Sequence, residues 1–155
     1  MKAIHRVGYV GLGAIGKPMA ERIQRAGFEL HVWNRTREKA ASLLSAGAKW
    51  ADSPAMLARQ MDAVALCVTD DQAVEQVLFG EDGIARAGRQ DCLVVDHSTV
   101  HPAAAAALAK RFSAHGVLID APVTGGLVGA REGTLSILAG GDAEAIDRLR
   151  PMLQS

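Results

Sequence analysis

The sequence has little that would bind a nucleic acid or a charged membrane surface. Its 155 residues carry 17 basic and 17 acidic side chains, and these balanced charges form no basic block for a polyanion. Aromatic residues make up only 4% of the chain, too few for a platform on which bases could stack. We therefore expect no nucleic-acid partner and no membrane partner. The hydrophobic fraction of 49% is typical of an ordinary globular domain.

Cysteine is also scarce, and its spacing excludes the common cysteine chemistries. Cys67 and Cys92 lie 25 positions apart, a separation that fits neither a CxxC redox motif nor a metal site. Both lie in apolar runs, which favours buried, reduced thiols and a cytoplasmic location. No apolar run approaches the length of a membrane span, and closely spaced glycines interrupt the run near the N-terminus. We therefore expect neither a span nor a signal peptide.

The sequence does contain a regular alternation of apolar, strand-like runs with helical segments. The runs predict strands at 6–10, 29–33, 63–68, 92–96, 117–121 and 134–139. Between them, helices are predicted near 14–26, 37–46, 54–60, 71–78, 102–115 and 142–150. Uninterrupted apolar runs such as 64–68 are typical of parallel strands that are buried on both faces. The pattern predicts one α/β domain with a doubly wound, mainly parallel sheet.

The turn after the first strand has the pattern Gly-x-Gly-x-x-Gly. Gly11 allows a tight turn, Gly13 lets a pyrophosphate approach the backbone, and Gly16 lets the following helix pack closely. A helix that begins near Ala14 would direct its free N–H groups and the positive end of its dipole at that pyrophosphate. The sequence therefore predicts a Rossmann-type dinucleotide site. The predicted contacts in this turn are Gly11, Leu12, Gly13, Ala14, Ile15 and Gly16.

The end of the second predicted strand indicates which dinucleotide is preferred. Sites for NAD usually have Asp or Glu here, because a carboxylate accepts hydrogen bonds from the ribose 2′-hydroxyl. This chain has Asn34, Arg35 and Thr36, followed by Arg37. An arginine fork and a hydroxyl would hold a 2′-phosphate that a carboxylate would repel, so we expect NADP, with NAD as the lesser alternative. The segment is also compatible with a solvated turn in which Thr36 caps the next helix.

Polar residues also follow the third and fourth predicted strands. Val68 and Thr69 could line the ribose or the nicotinamide side of a cofactor, although an ordinary capped turn explains them equally well. The segment 96–99 carries hydroxyls that could bind a ribose or a carboxamide. His97 could act as a general base, but no neighbouring acid would orient it. A strand-end histidine with a structural hydrogen bond is the favoured interpretation.

A glycine-rich segment follows the fifth predicted strand. Thr124, Gly125 and Gly126 could form a nest of backbone N–H groups for a substrate carboxylate. A flexible connector would have the same composition, and the glycine spacing alone does not decide between the two interpretations.

Together these motifs resemble the β-hydroxyacid dehydrogenases, the group that includes 3-hydroxyisobutyrate dehydrogenase, tartronate semialdehyde reductase and 6-phosphogluconate dehydrogenase. The matching segments, in the family's order, are Gly11–Ala20, Asn34–Thr36, Asp96–Thr99 and Asp120–Gly126 with its continuation to 135. The family normally has Ser-Gly-Gly where this chain has Thr124-Gly125-Gly126. The resemblance implies that the latter hold a small carboxylate substrate. It also implies that Val68, Thr69, Ala73 and Thr99 position the ribose and the nicotinamide.

The resemblance also implies what lies outside the sequence. Family members carry a catalytic lysine beyond the substrate loop, then an all-helical domain that closes the site and forms a homodimer or homotetramer. We expect residues 1–155 to be the NADP-binding domain, with no catalytic residue of its own and the family's lysine beyond Ser155. The whole enzyme would exchange a hydride with a small 3-hydroxy acid or semialdehyde acid. Two alternatives are the cofactor domain of an imine reductase and a non-catalytic dinucleotide-binding or interaction module.

Overall fold

The main sheet is parallel throughout, as the uninterrupted apolar runs predict. In the computed structural model, which describes residues 3–155, its strands are β1 (Arg6–Val10), β2 (Glu29–Trp33), β3 (Lys49–Trp50), β4 (Ala63–Leu66), β5 (Cys92–Asp96) and β6 (Gly116–Asp120). Their spatial order is β3-β2-β1-β4-β5-β6. The direction in which the chain winds through the sheet reverses between β1 and β4. In such sheets, ligands bind beyond the carboxyl ends of the strands at that point.

Helices cover both faces of this sheet. They are α1 (Gly16–Arg25), α2 (Ala41–Ser45), α3 (Pro54–Gln60), α4 (Asp71–Phe79), α5 (Pro102–Phe112), α6 (Gly126–Glu132) and α7 (Ala143–Leu153). Side chains of β1 alternate between two apolar clusters, since Val7 and Tyr9 pack with α1 and α7 while Val10 packs with α3, α4 and α5. A separate antiparallel pair consists of β7 (Val123–Thr124) and β8 (Ser136–Ile137). The predicted doubly wound fold is confirmed.

Several predicted boundaries are wrong, for local reasons. The first helix begins at Gly16 and not near Ala14, because residues 13–15 form the turn that leads into it. The strand predicted at 63–68 ends at Leu66, since the N–H of Val68 donates to the Ser98 hydroxyl instead of extending the ladder. The predicted strand 134–139 is reduced to two residues. The predicted glycine-rich loop contains α6, which lies between Gly125 and Gly133, both with positive φ.

The segment that follows β5 ties together the ends of three strands. The N–H of His97 donates to the Leu66 carbonyl of β4 at 2.8 Å, and its Nδ1 donates to the Ala121 carbonyl after β6 at 2.9 Å. The hydroxyl of Ser98 accepts from the Val68 N–H at 2.9 Å. Burial lowers the pKa of His97 to about 4, so its ring is neutral. The structural interpretation of His97 is thus confirmed, and this segment holds in place the backbone where a ligand would bind.

Asp96 makes the stability of this strand-end segment depend on pH. Its Oδ1 accepts from the Ser98 N–H at 2.8 Å, and burial, aided by Asp120 and Asp71, raises the pKa from its ordinary 3.8 to about 6. Because the pKa of this acid is higher in the folded chain, its contribution to stability is largest below pH 4 and falls as pH rises towards 6.

Substitution of Asp96 tests this assignment. We expect the free energy of unfolding of Asp96→Asn to rise relative to that of the parent by about 2–3 kcal/mol between pH 4 and pH 7. Urea unfolding at both pH values measures this difference. The exposed Asp52→Asn is the control, and parallel pH profiles for parent and Asp96→Asn would contradict the assignment.

Gly8 is required by the packing of α3 on β1. A β-carbon at Gly8 would overlap Cδ2 of Leu57, whose side chain is 1% exposed. We expect Gly8→Ala to lower the free energy of unfolding by about 1–3 kcal/mol through overpacking. In a Leu57→Ala background the same substitution should cost much less, because the clashing methyl group is gone. Equal costs in the two backgrounds, measured by urea unfolding, would show that Leu57 is not the cause.

Candidate functional site

A cleft of about 690 Å³ opens at the carboxyl ends of β1, β2 and β4. Its walls are the turn after β1, the end of β2, the segment after β4 and one face of α4. A cleft of this size at the point where the winding reverses is where a doubly wound sheet binds its ligand. The residues that line it are Gly11, Gly13, Ala14, Ile15, Gly16, Trp33, Asn34, Arg35, Thr36, Lys39, Cys67, Val68, Thr69, Asp70, Gln72, Ala73, Gln76 and Val77.

The glycines of the turn are needed for different reasons. Gly11 has a φ of +93°, and a β-carbon there would overlap the carbonyl oxygen of Cys67. A β-carbon at Gly16 would overlap the carbonyl oxygen of Gly11, so the start of α1 contacts the turn directly. Gly13 differs, because a β-carbon there would meet no described atom within 4 Å and its φ is not positive. The fold therefore accounts for Gly11 and Gly16, whereas the absence of a side chain at Gly13 only widens the cleft.

Two helices present their N-termini to the cleft, but only that of α1 is open to an anion. The first turn of α1 contains no acidic residue, and Ile15 before it provides no side-chain cap. The N-terminus of α4 is capped by Asp70, whose Oδ1 accepts from the Ala73 N–H at 2.8 Å. Because that carboxylate already occupies the positive end of α4, a phosphate is favoured at α1.

Asn34 connects the glycine turn to the end of β2. Its Oδ1 accepts from the Leu12 N–H at 2.8 Å, and its Nδ2 donates to the Thr36 carbonyl at 2.8 Å. The side chain of Leu12 is 2% exposed and lies in the core. Leu12 and Asn34 were both predicted as cofactor contacts. The structure uses the Leu12 N–H and the Asn34 carboxamide to shape the turn, although Asn34 still lines the cleft.

Positive charge is concentrated at the β2 end of the cleft. Arg35 and Lys39 line it together with Thr36, and all are exposed. Arg37 does not line the cleft, since its guanidinium lies over the ring of Trp50, 5.1 Å from the centroid. The prediction that Thr36 caps the following turn is wrong, because its hydroxyl accepts no capping hydrogen bond.

The wall formed by α4 was only partly predicted. Ala73 was predicted through the family resemblance, and Gln76 and Val77 follow it at helical spacings of three and four, so they share its face. That spacing was the signal that could have identified them. The residues that sequence reasoning missed are Trp33, Lys39, Cys67, Asp70, Gln72, Gln76 and Val77.

Cys67 is placed differently from the predicted core thiol. Cys92 is buried as expected, whereas Cys67 is half-buried and lies in the floor of the cleft. Burial and the nearby Asp96 carboxylate raise the pKa of the Cys67 thiol to about 11, so it is protonated at neutral pH. The thiol contributes shape to the floor and no charge.

The remaining predicted site residues lie outside this cleft. Thr99 is exposed and does not line it. Thr124, Gly125 and Gly126 are also exposed and form the turn between β7 and α6, where Gly125 and Gly126 have φ values of +133° and +64°. The predicted substrate turn therefore forms no part of the wall of this cleft.

Other kinds of site find no support in residues 3–155. This part of the chain has no group of three His, Cys, Asp or Glu side chains that could hold a metal ion. Within the same range, every helix is too short or too polar to cross a lipid bilayer.

Comparison with known proteins shows the family to which the chain belongs. The family described as the NAD binding domain of 6-phosphogluconate dehydrogenase matches residues 6–155. A 2-hydroxy-3-oxopropionate reductase of Escherichia coli is 39% identical over 150 residues, which are 96% of this chain and 51% of the relative. A 3-hydroxyisobutyrate dehydrogenase of Pseudomonas aeruginosa is 36% identical, with 96% and 50% covered. The chain thus spans about half the length of these curated relatives.

Solved structures give the same result. The structure described as Psf3 in complex with NADP⁺ and 2-OPP superposes with a TM-score of 0.89 at 34% identity, covering 96% of this chain and 53% of that one. An imine reductase of Streptomyces aurantiacus superposes with a TM-score of 0.87 at 29% identity, with 96% and 52% covered. The open helix N-terminus, the matching family and these superpositions agree, and the chain belongs to the family of NAD-binding domains of 6-phosphogluconate dehydrogenase.

Proposed function

We propose that this chain binds NADP(H) as the cofactor domain of an oxidoreductase that acts on a small 3-hydroxy acid or semialdehyde acid. The observation that carries the proposal is Gly13, whose missing side chain serves no packing purpose and leaves room at the open N-terminus of α1. The relatives named as a reductase and a dehydrogenase of such compounds support the substrate class. The unpaired thiols of Cys67 and Cys92 support a reducing, cytoplasmic location.

The residues of the cleft fit a dinucleotide. The backbone of Gly13, Ala14 and Ile15 would face the pyrophosphate, and the positive end of α1 favours its charge. Arg35, Thr36 and Lys39 would hold the 2′-phosphate with two cations and a hydroxyl at one end of the cleft. The four residues directly after β2, Asn34 to Arg37, include no carboxylate to accept hydrogen bonds from an unphosphorylated ribose, which supports NADP over NAD.

The other end of the domain would serve the nicotinamide and the substrate. Val68, Thr69 and Ala73 line the cleft beyond β4, and Thr99 follows β5 on the same edge of the sheet. When bound, the cofactor supplies hydride chemistry at its nicotinamide ring. The exposed Thr124, Gly125 and Gly126 would bind the substrate carboxylate through the hydroxyl and the backbone N–H groups. The proton-transfer group, a lysine by family resemblance, would come from a longer protein, as would its assembly as a homodimer or homotetramer.

An imine reductase is the second candidate, because one such enzyme has the same fold at 29% identity. The cleft serves either enzyme, so the two proposals differ in the substrate and not in the cofactor. The Thr124–Gly126 turn favours a carboxylate substrate. Thr124→Val, which removes the hydroxyl and leaves both glycines in place, would lower reduction of a carboxylate substrate by the longer protein and leave imine reduction intact.

Gly13 provides the most direct test of the cofactor cleft. We expect Gly13→Ala to weaken NADPH binding about tenfold or more, equivalent to about 1.4 kcal/mol, because the added methyl group would occupy the ligand's space. Its urea midpoint should match that of the parent, since the methyl group meets no described atom within 4 Å. Binding is measured by the change in tryptophan fluorescence on titration, since Trp33 lines the cleft. Unchanged affinity with unchanged stability would place the ligand elsewhere.

Arg35 tests the choice between the two cofactors. We expect Arg35→Ala to weaken NADPH by about 1.5–3 kcal/mol, the contribution of hydrogen bonds to a charged group, and to leave NADH nearly unchanged. Arg37→Ala is the matched control, because the guanidinium of Arg37 lies over Trp50 and outside the cleft. Titrations of the parent and both variants with each cofactor measure the effect. Equal affinity of the parent for NADPH and NADH would contradict the preference for NADP.

A further inference from the structure

Arg22 on α1 lies against the carboxyl end of α6. A β-carbon at Gly133, the residue that directly follows α6, would overlap Cζ and Nε of Arg22. The guanidinium therefore lies directly on the bare backbone of Gly133. A cation is favoured at this end of a helix, because the last carbonyl groups of α6 have no partners within the helix.

The environment of Arg22 indicates that packing, and not an ion pair, holds its side chain against Gly133. Its Nε is buried and makes no hydrogen bond to residues 3–155, and no carboxylate in that range forms an ion pair with it. Around it is a small cavity whose other walls include Met19, Ala130 and His97. Leaving a guanidinium N–H unpaired costs free energy, which the close contact with Gly133 must offset.

This contact links the two parts of the proposed site. Arg22 stands on the helix whose N-terminus faces the cofactor cleft, and Gly133 ends the helix that begins at the Thr124–Gly126 turn. The helix α6 has seven residues and is about 10 Å long, so a shift at Gly133 is carried to the turn as a rigid body. Elsewhere α6 contributes few buried side chains, since Leu127 and Val128 are 39% and 65% exposed.

We infer that Arg22 is a positioning residue, which fixes α6 and the Thr124–Gly126 turn against the cofactor helix α1 through its contact with Gly133. The inference rests on the proposed function for the roles of the two helices. Cofactor binding that stabilises α1 then also stabilises α6, and the coupling is reciprocal.

The contact itself is tested without any cofactor. Gly133→Ala introduces both left-handed strain and a clash with Arg22, whereas Gly88→Ala introduces the strain alone. The two glycines have nearly equal φ values of +71° and +73°, and a β-carbon at Gly88 meets no described atom within 4 Å. We expect Gly133→Ala to lower the urea midpoint more than Gly88→Ala, and the two to become equal in an Arg22→Ala background. Equal effects in the Arg22 parent would show that the guanidinium moves aside without cost and does not hold α6, which overturns the inference.

The positioning role is tested by hydrogen exchange of the chain with and without saturating NADPH. In the parent, NADPH should slow exchange in both α1 and α6, with the α6 amides slowed about fivefold, the lower range of measured couplings. In Arg22→Ala and Arg22→Lys, the α1 protection should persist and the α6 protection should disappear, because an ammonium cannot lie flat on Gly133. Arg25→Ala is the control on the same helix, since Arg25 is exposed.

The outcomes separate this inference from the proposed function. Protection of α1 and α6 that survives in Arg22→Ala overturns the positioning role while the cofactor site stands. Protection of α1 without protection of α6 in the parent also overturns the positioning role and leaves the cofactor site standing. Absence of protection in both helices of the parent overturns the proposed function and the coupling together, and the Gly133 comparison still decides whether the contact stabilises α6.

Discussion

The structure depends on a close approach of three backbone segments where β1, β4 and α1 meet. Side chains at Gly11 or Gly16 would overlap carbonyl oxygens of Cys67 and Gly11, so only glycine lets the turn reach the end of β4. This approach directs the N-terminus of α1 across the carboxyl ends of the strands. The helix then presents unpaired N–H groups where the winding of the sheet reverses, and the anion site is a consequence of the packing.

Polar side chains at the strand ends keep this arrangement in place. Asn34 joins the turn to the end of β2, while His97 and Ser98 join the ends of β4, β5 and β6. These groups are amides, hydroxyls and a neutral imidazole, types that also bind cofactors. Because these side chains bond within the protein, Arg35, Thr36, Lys39 and the backbone of residues 13–15 are left to face a ligand. Rigid strand ends of this kind place the ligand-binding groups accurately, while the polar side chains that hold the strand ends take no part in binding.

The sequence predicts the parts of this fold that local patterns control. The buried strands β1 and β5 appear at their predicted bounds because apolar runs have few other solutions, and β2 does so with burial that alternates along the strand. The helix α6 was missed, since glycine lowers helix propensity and the sequence does not show the packing on α1 that compensates. The roles of Asn34 and Leu12 could not be predicted either, because their hydrogen bond joins residues 22 positions apart. Lys39 was missed because Arg35 precedes the helical turn Arg37–Ala40, so no helical spacing relates the two residues.

The central claim is that the pyrophosphate of a dinucleotide binds at the N-terminus of α1, beside Gly13. An amide chemical-shift titration with NADPH tests this directly, because each backbone N–H reports its own surroundings. The account predicts that the largest shifts fall on residues 13–17 and 35–39, with one common dissociation constant and a smaller change at Ala73. Shifts concentrated at the capped N-terminus of α4, or the absence of any change at residues 13–17 at saturation, would contradict it.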